Sequence, residues 1–393
     1  MRDSTAFLAV AACAALLICQ PARAGFEDCL STLRGEAPSH GVSTATFDRA
    51  TQGLQPSDAA SFLDRQPEFK TAIWDYMAGA VDDERVADGR EAMRLQAAAL
   101  RTAEQRFGVD PAILVAIWGV ETDFGRNLGK RPLVQSLATL SCEGRRQAYF
   151  RGEFFATLKI LEHGEIRPGA LIGSWAGAFG QTQFMPSTYQ RLAVDLEGHG
   201  RRDIVESVPD ALGSSANLLH HAGWVPGLHW GYEVELPPGY AGDSGRSHKH
   251  PMSYWSAQGV RRVDGRPLGE GSAGLFLPAG ARGPAFLTSR NFDAIYSYNS
   301  AESYMLAVAH LADRIRGGGP FKTPWPTDDP GLGRGGRKEI QAMLNQRGYN
   351  VGDPDGNVGD KTRTAIVAYQ ASAGLPQDGR AGERVLKALR AGR

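Results

Sequence analysis

Glu121 stands near the middle of the segment Ala116-Ile-Trp-Gly-Val-Glu121-Thr-Asp-Phe-Gly125-Arg-Asn-Leu-Gly129, at the end of an apolar run and just before an aromatic turn bounded by glycine. A carboxyl held against Ile117, Trp118 and Phe124 loses hydration, which disfavours its charged form. Such a group can keep its proton near neutral pH and donate it to a poor leaving group such as a sugar alkoxide, a step a positioned acid accelerates by about 10² to 10⁴. The plainer alternative is a Glu that only solvates a helix end. Two other segments carry side chains fit for a polar ligand. Gly173-Ser174-Trp-Ala-Gly-Ala-Phe-Gly-Gln181-Thr-Gln183-Phe-Met-Pro-Ser187 offers hydroxyl and amide groups on a glycine-rich loop. Tyr298-Asn299-Ser-Ala-Glu302-Ser-Tyr304 offers two phenols and an amide, although Asn299 also suits a helix N-cap with Glu302 at N3, and Tyr304 begins the core-like stripe Tyr304, Val308, Leu311, Ile315.

The elements that must position these residues are legible around them. Asp110 is a fitting N-cap, Pro111 suits the first helical position, and Ile113, Leu114, Ile117, Trp118 and Glu121 follow the spacing of one helical face. Asp123, the nearest second carboxylate, lies two residues on and therefore points to a different face. From Gly25 to about Arg106 the pattern is mainly helical, with caps expected at Ser57-Asp58 and Asp88-Gly89. Residues from Gln135 to Glu165 read as two helices with Tyr149, Phe150, Phe154, Phe155, Leu158 and Leu161 turned inward, and a further helix starts at Pro186. Short β-prone runs follow at Tyr232–Leu236, Gly274–Leu277 and Ala285–Thr288, and helix returns from Ala301 to Ile315. The Pro- and Gly-rich stretch 317–332 reads as an interdomain linker. Beyond it, Ile340 and Leu344, Ile366 and Tyr369, and Leu386 and Leu389 give facing stripes of three short helices.

Composition narrows the function classes. The chain has 393 residues, with 43 Lys+Arg against 43 Asp+Glu, so it carries no basic excess of the kind a nucleic-acid partner selects. Nothing after the first two dozen residues offers the roughly 20 apolar residues of a membrane span. Arg2, the apolar run Ala6 to Cys19 and Pro21-Ala-Arg-Ala24 read as a signal peptide cleaved before Gly25, which implies export to the periplasm. Lipoprotein processing at Cys13 or Cys19 is disfavoured, because one apolar run is too short and the other has Ile18 where a small residue is wanted. The mature chain then keeps Cys29 and Cys142, either bridged or as two buried thiols.

Taken in order, the E-T-D-F-G context of Glu121, the Gly-Ser-Trp-Ala-Gly-Ala-Phe-Gly…Gln-Phe-Met-Pro-Ser block and the Tyr-Asn…Tyr block resemble the lytic murein transglycosylases of the membrane-bound B type. The resemblance runs from roughly Phe26 to Ile315. It implies a mainly α, α+β fold: a lysozyme-like helical catalytic domain with a small β-containing insertion. By that resemblance Glu121 is the single catalytic acid and base, Ser174 and Gln183 line the site, and Tyr298, Asn299 and Tyr304 orient Glu121 and the N-acetylmuramoyl residue. The partner is the peptidoglycan glycan strand, and no cofactor or metal is expected. The segment Asp195-Leu-Glu197-Gly-His199-Gly-Arg201-Arg202-Asp203-Ile-Val-Glu206 has the outline of a calcium loop, yet His199 replaces a hard oxygen ligand and two arginines bring positive charge, so a polar connection is expected. Residues 333–393, with Asp355-Gly356…Gly359-Asp-Lys-Thr362-Arg-Thr-Ala365-Ile…Tyr369-Gln370, resemble a small three-helix peptidoglycan-binding domain, in which Asp353 and Asp355 are expected to serve helix capping.

The resulting division is leader 1–24, catalytic domain 25–316, linker 317–332 and wall-binding domain 333–393. The implied reaction cleaves the bond between N-acetylmuramic acid and N-acetylglucosamine without water, leaving 1,6-anhydromuramoyl ends. The alternatives are a hydrolytic muramidase on the same core, which needs a second carboxylate, and a non-catalytic wall-binding scaffold.

Overall fold

The structure is a computed structural model that describes residues 21–63 and 71–392. The leader expected over residues 1–24 lies outside the described residues for its first 20. None of the described helices is long and apolar enough to cross a membrane. The chain divides into two compact units, and each stands on its own core.

The larger unit comprises the described residues of Arg65–Leu128, Phe179–Phe184 and Thr188–Arg393. Its centre is the helix Pro111–Thr122, surrounded by Asp83–Leu95, Ala97–Phe107, Val208–His221 and Glu302–Ile315. We label these in chain order α1 (Asp83–Leu95), α2 (Ala97–Phe107), α3 (Pro111–Thr122), α4 (Val208–His221) and α5 (Glu302–Ile315). Asp110 caps α3 as expected, its Oδ1 accepting from the Ala112 N–H at 2.8 Å, with Pro111 in the first turn. The expected single buried face is wrong, because every residue from Ala112 to Gly119 is buried. With helices on all sides, α3 has no wet face left until Val120. Gly89 is not a cap either. It lies inside α1, where a Cβ would collide with the Ile315 side chain and press on the Phe124 ring. The helix therefore accepts a glycine, about 1 kcal/mol worse than Ala in a helix interior, to let its neighbours close.

A five-stranded antiparallel sheet grows from the same unit. With β1 at Gly231–Glu235, β2 at Lys249–Pro251, β3 at Arg261–Arg262, β4 at Ser272–Phe276 and β5 at Ala285–Thr288, the order is β2-β4-β5-β1-β3. The three apolar runs form its centre; the two polar edge strands carried no apolar signal. Val234, Leu275, Leu287 and Trp255 fill one core, and the Trp255 indole N–H donates to the Ala273 carbonyl at 2.8 Å.

The Pro/Gly-rich stretch expected as a linker is irregular, exposed at residues 317–320 and tied down from Phe321 onward. Phe321 stacks on His310 of α5 with ring centroids 3.7 Å apart and meets Phe286 edge-on at 4.8 Å. The Lys322 and Thr323 N–H groups both donate to the Glu233 carboxylate, at 2.8 and 2.7 Å. The loop that this composition forms is thus anchored by an aromatic side chain and a buried acceptor.

Three further helices, α6 (Arg334–Gln346), α7 (Asp360–Ser372) and α8 (Glu383–Arg390), close over Ile340, Leu344, Ile366, Tyr369, Leu386 and Leu389. Two buried glutamines explain the Asp-Gly pattern between them. Gln341 accepts from the Gly356 N–H at 2.7 Å and donates to Asp355 at 3.0 Å; Gln370 accepts from Gly379 at 2.9 Å and donates to Asp378 at 2.6 Å. Asp355 thus fixes a turn, whereas α7 is capped by Gly359.

The smaller unit comprises the described residues up to 63, Gly129–Ala178 and Met185–Ser187. Its helices Leu133–Cys142 and Gln147–Glu162 pack together, and a short ribbon pairs Arg131–Pro132 with Ile172–Gly173. Phe150, Phe154, Phe155 and Leu158 are buried as expected, whereas Tyr149 remains 41% exposed, with the Arg146 guanidinium 4.5 Å over its ring. Cys29 and Cys142 form a disulfide across 113 positions.

Candidate active site

Glu121 occupies the last turn of α3, half-buried, one residue before the helix ends at Thr122. The termination is abrupt: Asp123 (φ 53°), Phe124 (φ 59°) and Gly125 (φ 82°) are all left-handed. Two consecutive non-glycine residues there cost on the order of 1–2 kcal/mol each, so the surroundings must hold them. Phe124 folds back against α3, its ring edge-on to Trp118 at 5.7 Å, in space that a Cβ on Gly119 would fill. Thr122 ties the turn down. Its hydroxyl donates to the Gln181 carbonyl at 2.6 Å and accepts from the Gly125 N–H at 3.0 Å.

Gln181 is the clamp between α3 and the glycine-rich segment. Its side-chain oxygen accepts from the Trp118 indole at 3.0 Å, its amide nitrogen donates to the Val205 carbonyl at 2.9 Å, and its own N–H donates to the Ile204 carbonyl at 2.8 Å. A side chain on Gly125 would run into the same amide. The sequence suggested Gln181 as a sugar-binding amide; its polar atoms are instead committed to the fold.

Across from Glu121, the first turn of α5 brings Tyr304. Its hydroxyl donates to Glu121 Oε1 at 2.6 Å, and the residue is only 2% exposed. Burial, reinforced by the Glu121 charge, holds this phenol well above its ordinary pKa, so it stays a proton donor. Tyr298 stacks on Tyr304 with centroids 6.3 Å apart. Its hydroxyl donates to the Thr182 carbonyl at 2.7 Å, so Ser215, at 3.0 Å, must be the donor to it. Burial likewise pushes Tyr298 up, with Glu121 adding to the effect. The expected cap at Asn299 is absent. The N-cap position of α5 falls at Ala301, and Asn299 sits half-buried in the turn beside Tyr298, its carbonyl accepting from the Ala301 N–H at 2.7 Å.

Gln183 lies one residue beyond Thr182 at φ 52°, with its amide nitrogen donating to the Gly180 carbonyl at 2.9 Å. What it can offer a ligand is its side-chain oxygen. Ser174 belongs to the smaller unit, where its hydroxyl oxygen accepts from the Ala178 N–H at 3.1 Å. The structure therefore joins Glu121, Tyr304 and Tyr298 directly, places Asn299 and Gln183 next to their anchors, and leaves Ser174 in a separate unit.

Asp123 is not a second catalytic carboxylate in waiting. Burial would raise its pKa, but Arg334 at 2.6 Å, Arg85 at 3.5 Å and Arg126 at 3.4 Å prevail and hold it below the usual carboxylate range. The Asp195–Glu206 loop is ordered by its own carboxylates. Asp195 accepts from the N–H groups of Gly198, His199 and Gly200, and Asp203 accepts from Val205 and Glu206 while pairing with Arg201 at 3.0 Å. These bonds close the segment on its own backbone, and Arg201 brings positive charge to Asp203.

Residues 25–313 match the family described as the transglycosylase SLT domain. The chain belongs to that family. Residues 333–389 match a family described as a putative peptidoglycan binding domain. Membrane-bound lytic murein transglycosylase B of Escherichia coli (strain K12) is 37% identical over 225 residues, 55% of this chain and 60% of that protein, so the match spans less than two thirds of that relative. Among solved structures, SltB3 from Pseudomonas aeruginosa in complex with NAG-anhNAM-pentapeptide is 42% identical, with a TM-score of 0.74 over 93% of this chain and 99% of that one. The Escherichia coli lytic transglycosylase SLT35 in complex with bulgecin A is 30% identical, with a TM-score of 0.64 over 75% of this chain and 93% of that one. The fold expected from the three motifs, helical and lysozyme-like with a small sheet, is that of these SLT transglycosylases.

Proposed function

We propose that this protein is a lytic transglycosylase, with Glu121 as its single acid and base. Glu121 protonates the glycosidic oxygen between N-acetylmuramic acid and N-acetylglucosamine. It then takes the proton of the muramoyl C6 hydroxyl as that oxygen attacks C1, giving a 1,6-anhydro ring without water. The reaction needs one carboxyl group that changes role, whereas hydrolytic glycosidases ordinarily need two. The observation that carries this reading is the 2.6 Å bond from Tyr304 to Glu121 Oε1. It fixes one oxygen of the carboxyl group and so orients the other for proton transfer, while Asp123 is committed to arginines. Gln183, Tyr298 and Asn299 are proposed to line the sugar site; for Ser174 the same role rests on the motif alone.

The names of the relatives support peptidoglycan as the substrate, and the leader-like residues 1–24 support action after export, in the periplasm. In this reading residues 25–316 are catalytic and residues 333–393 bind the same glycan strands. A second binding site on one chain can raise avidity by about 10² to 10⁴. Mass spectrometry of digested sacculi tests the proposal. Anhydromuramoyl ends are expected, and reducing ends heavier by one water would assign a hydrolytic muramidase instead. Glu121→Gln should abolish release of soluble muropeptides without weakening sacculus binding; retained release would remove Glu121 from the chemistry.

A further inference from the structure

The left-handed turn after Glu121 is held from two directions. Thr122 and Gln181 hold its inner side, within the catalytic core. The outer side is held through Asp123, which meets Arg85 at 3.5 Å and Arg126 at 3.4 Å and accepts its shortest bond, 2.6 Å at Oδ1, from the guanidinium of Arg334, the first residue of α6. Arg334 is itself fixed. Its N–H donates to Asp82 Oδ2 at 3.1 Å, while Asp82 Oδ1 accepts from the Arg85 N–H at 2.8 Å to cap α1. One aspartate thus caps a helix of the core and anchors the first turn of a helix of the C-terminal bundle. Around this contact, Lys338 pairs with Glu84 at 3.2 Å and Arg380 grips Asp75 at 2.8 Å.

We propose that Arg334 is a positioning residue for the reaction: through Asp123 it holds the Asp123–Gly125 turn, and with it the last turn of α3 that aims Glu121. The inference rests on Glu121 being the acid and base. It gives the C-terminal bundle a role besides wall binding, since a strained turn persists only where its surroundings over-determine it. A misplacement of about 1 Å at the reacting centre can cost 10²-fold in rate, so a loosened turn lowers turnover rather than substrate affinity.

The test uses the full chain and soluble, uncrosslinked glycan strands, on which wall tethering has no bearing. Arg334→Ala should lower kcat about tenfold with KM within about twofold of the parent, and Arg334→Lys should recover most of kcat, because an ammonium group can reach the same carboxylate. Lys338→Ala, which removes an ion pair of the same surface without touching Asp123, should leave kcat unchanged. If Arg334→Ala does not melt cooperatively, Asp123→Asn serves instead, with the same expected loss. A kcat within about twofold of the parent for the variant that folds overturns the proposal, as does an equal loss in Lys338→Ala. If Glu121→Gln stays active, the underlying assignment of Glu121 has failed, whatever the arginine variants do.

Discussion

Tyr304 links a core to the proposed acid. The sequence placed it at the head of a buried stripe, and it is buried there; yet its hydroxyl ends 2.6 Å from Glu121. Tyr304→Phe keeps the ring and deletes only this donor. We expect kcat to fall about 10- to 100-fold while the melting temperature changes little, the magnitude ascribed to a positioned donor at a reacting group. Steady-state kinetics on soluble strands checks this, and an unaltered kcat would show that the bond does not orient the carboxyl group. The motif signal found Glu121 and the phenols because their residue types and order are local facts. It said nothing of the structural part of Gln181, whose partners Trp118 and Val205 are brought to it only by folding.

Among elements, the loop after α5 is tied to the core through an aromatic contact. Glycine and proline declare a loop and a loop forms, with half-buried Phe321 stacked on the buried His310 of α5. Burial pushes the His310 imidazole down from 6.5 to about 4. Because the folded pKa lies below the unfolded one, the unfolded chain binds the extra proton between these values. The neutral stack therefore contributes stability that is complete above about pH 6.5 and lost as pH falls toward 4, at most about 3 kcal/mol. His310→Gln should lower the melting temperature at pH 7.5 yet flatten its decline between pH 6.5 and 4.5. Parallel pH curves for the two proteins would contradict the assignment. At the end of α3, Gly125→Ala should cost about 1–3 kcal/mol by forcing a side chain into a left-handed residue and into the Gln181 amide, read as a fall in the denaturant midpoint.

At the scale of the whole molecule, two cysteines 113 positions apart are joined within the smaller unit. Closing so long a loop restricts the unfolded chain, worth about 2–5 kcal/mol in typical cases. Replacing Cys29 and Cys142 together by Ser should lower the melting temperature by several degrees and remove its sensitivity to reductant; a reductant-insensitive parent would show that the bridge adds nothing.

What the sequence determined by itself is what short-range chemistry encodes: the N-cap and extent of α3, the central strands, the three-helix terminal bundle, and the order of motifs that pointed to Glu121. The edge strands Lys249–Pro251 and Arg261–Arg262, the interior placement of Gly89, the bridging of Cys29 to Cys142 and the packing of Phe321 were decided only in three dimensions. So was the fate of Asp123. Its neighbours in sequence say nothing of Arg334, 211 positions away, yet that guanidinium, with those of Arg85 and Arg126, makes it a structural anion beside Glu121. Ion pairs and close packing depend on which distant surfaces meet, and periodicity along the chain carries no record of that.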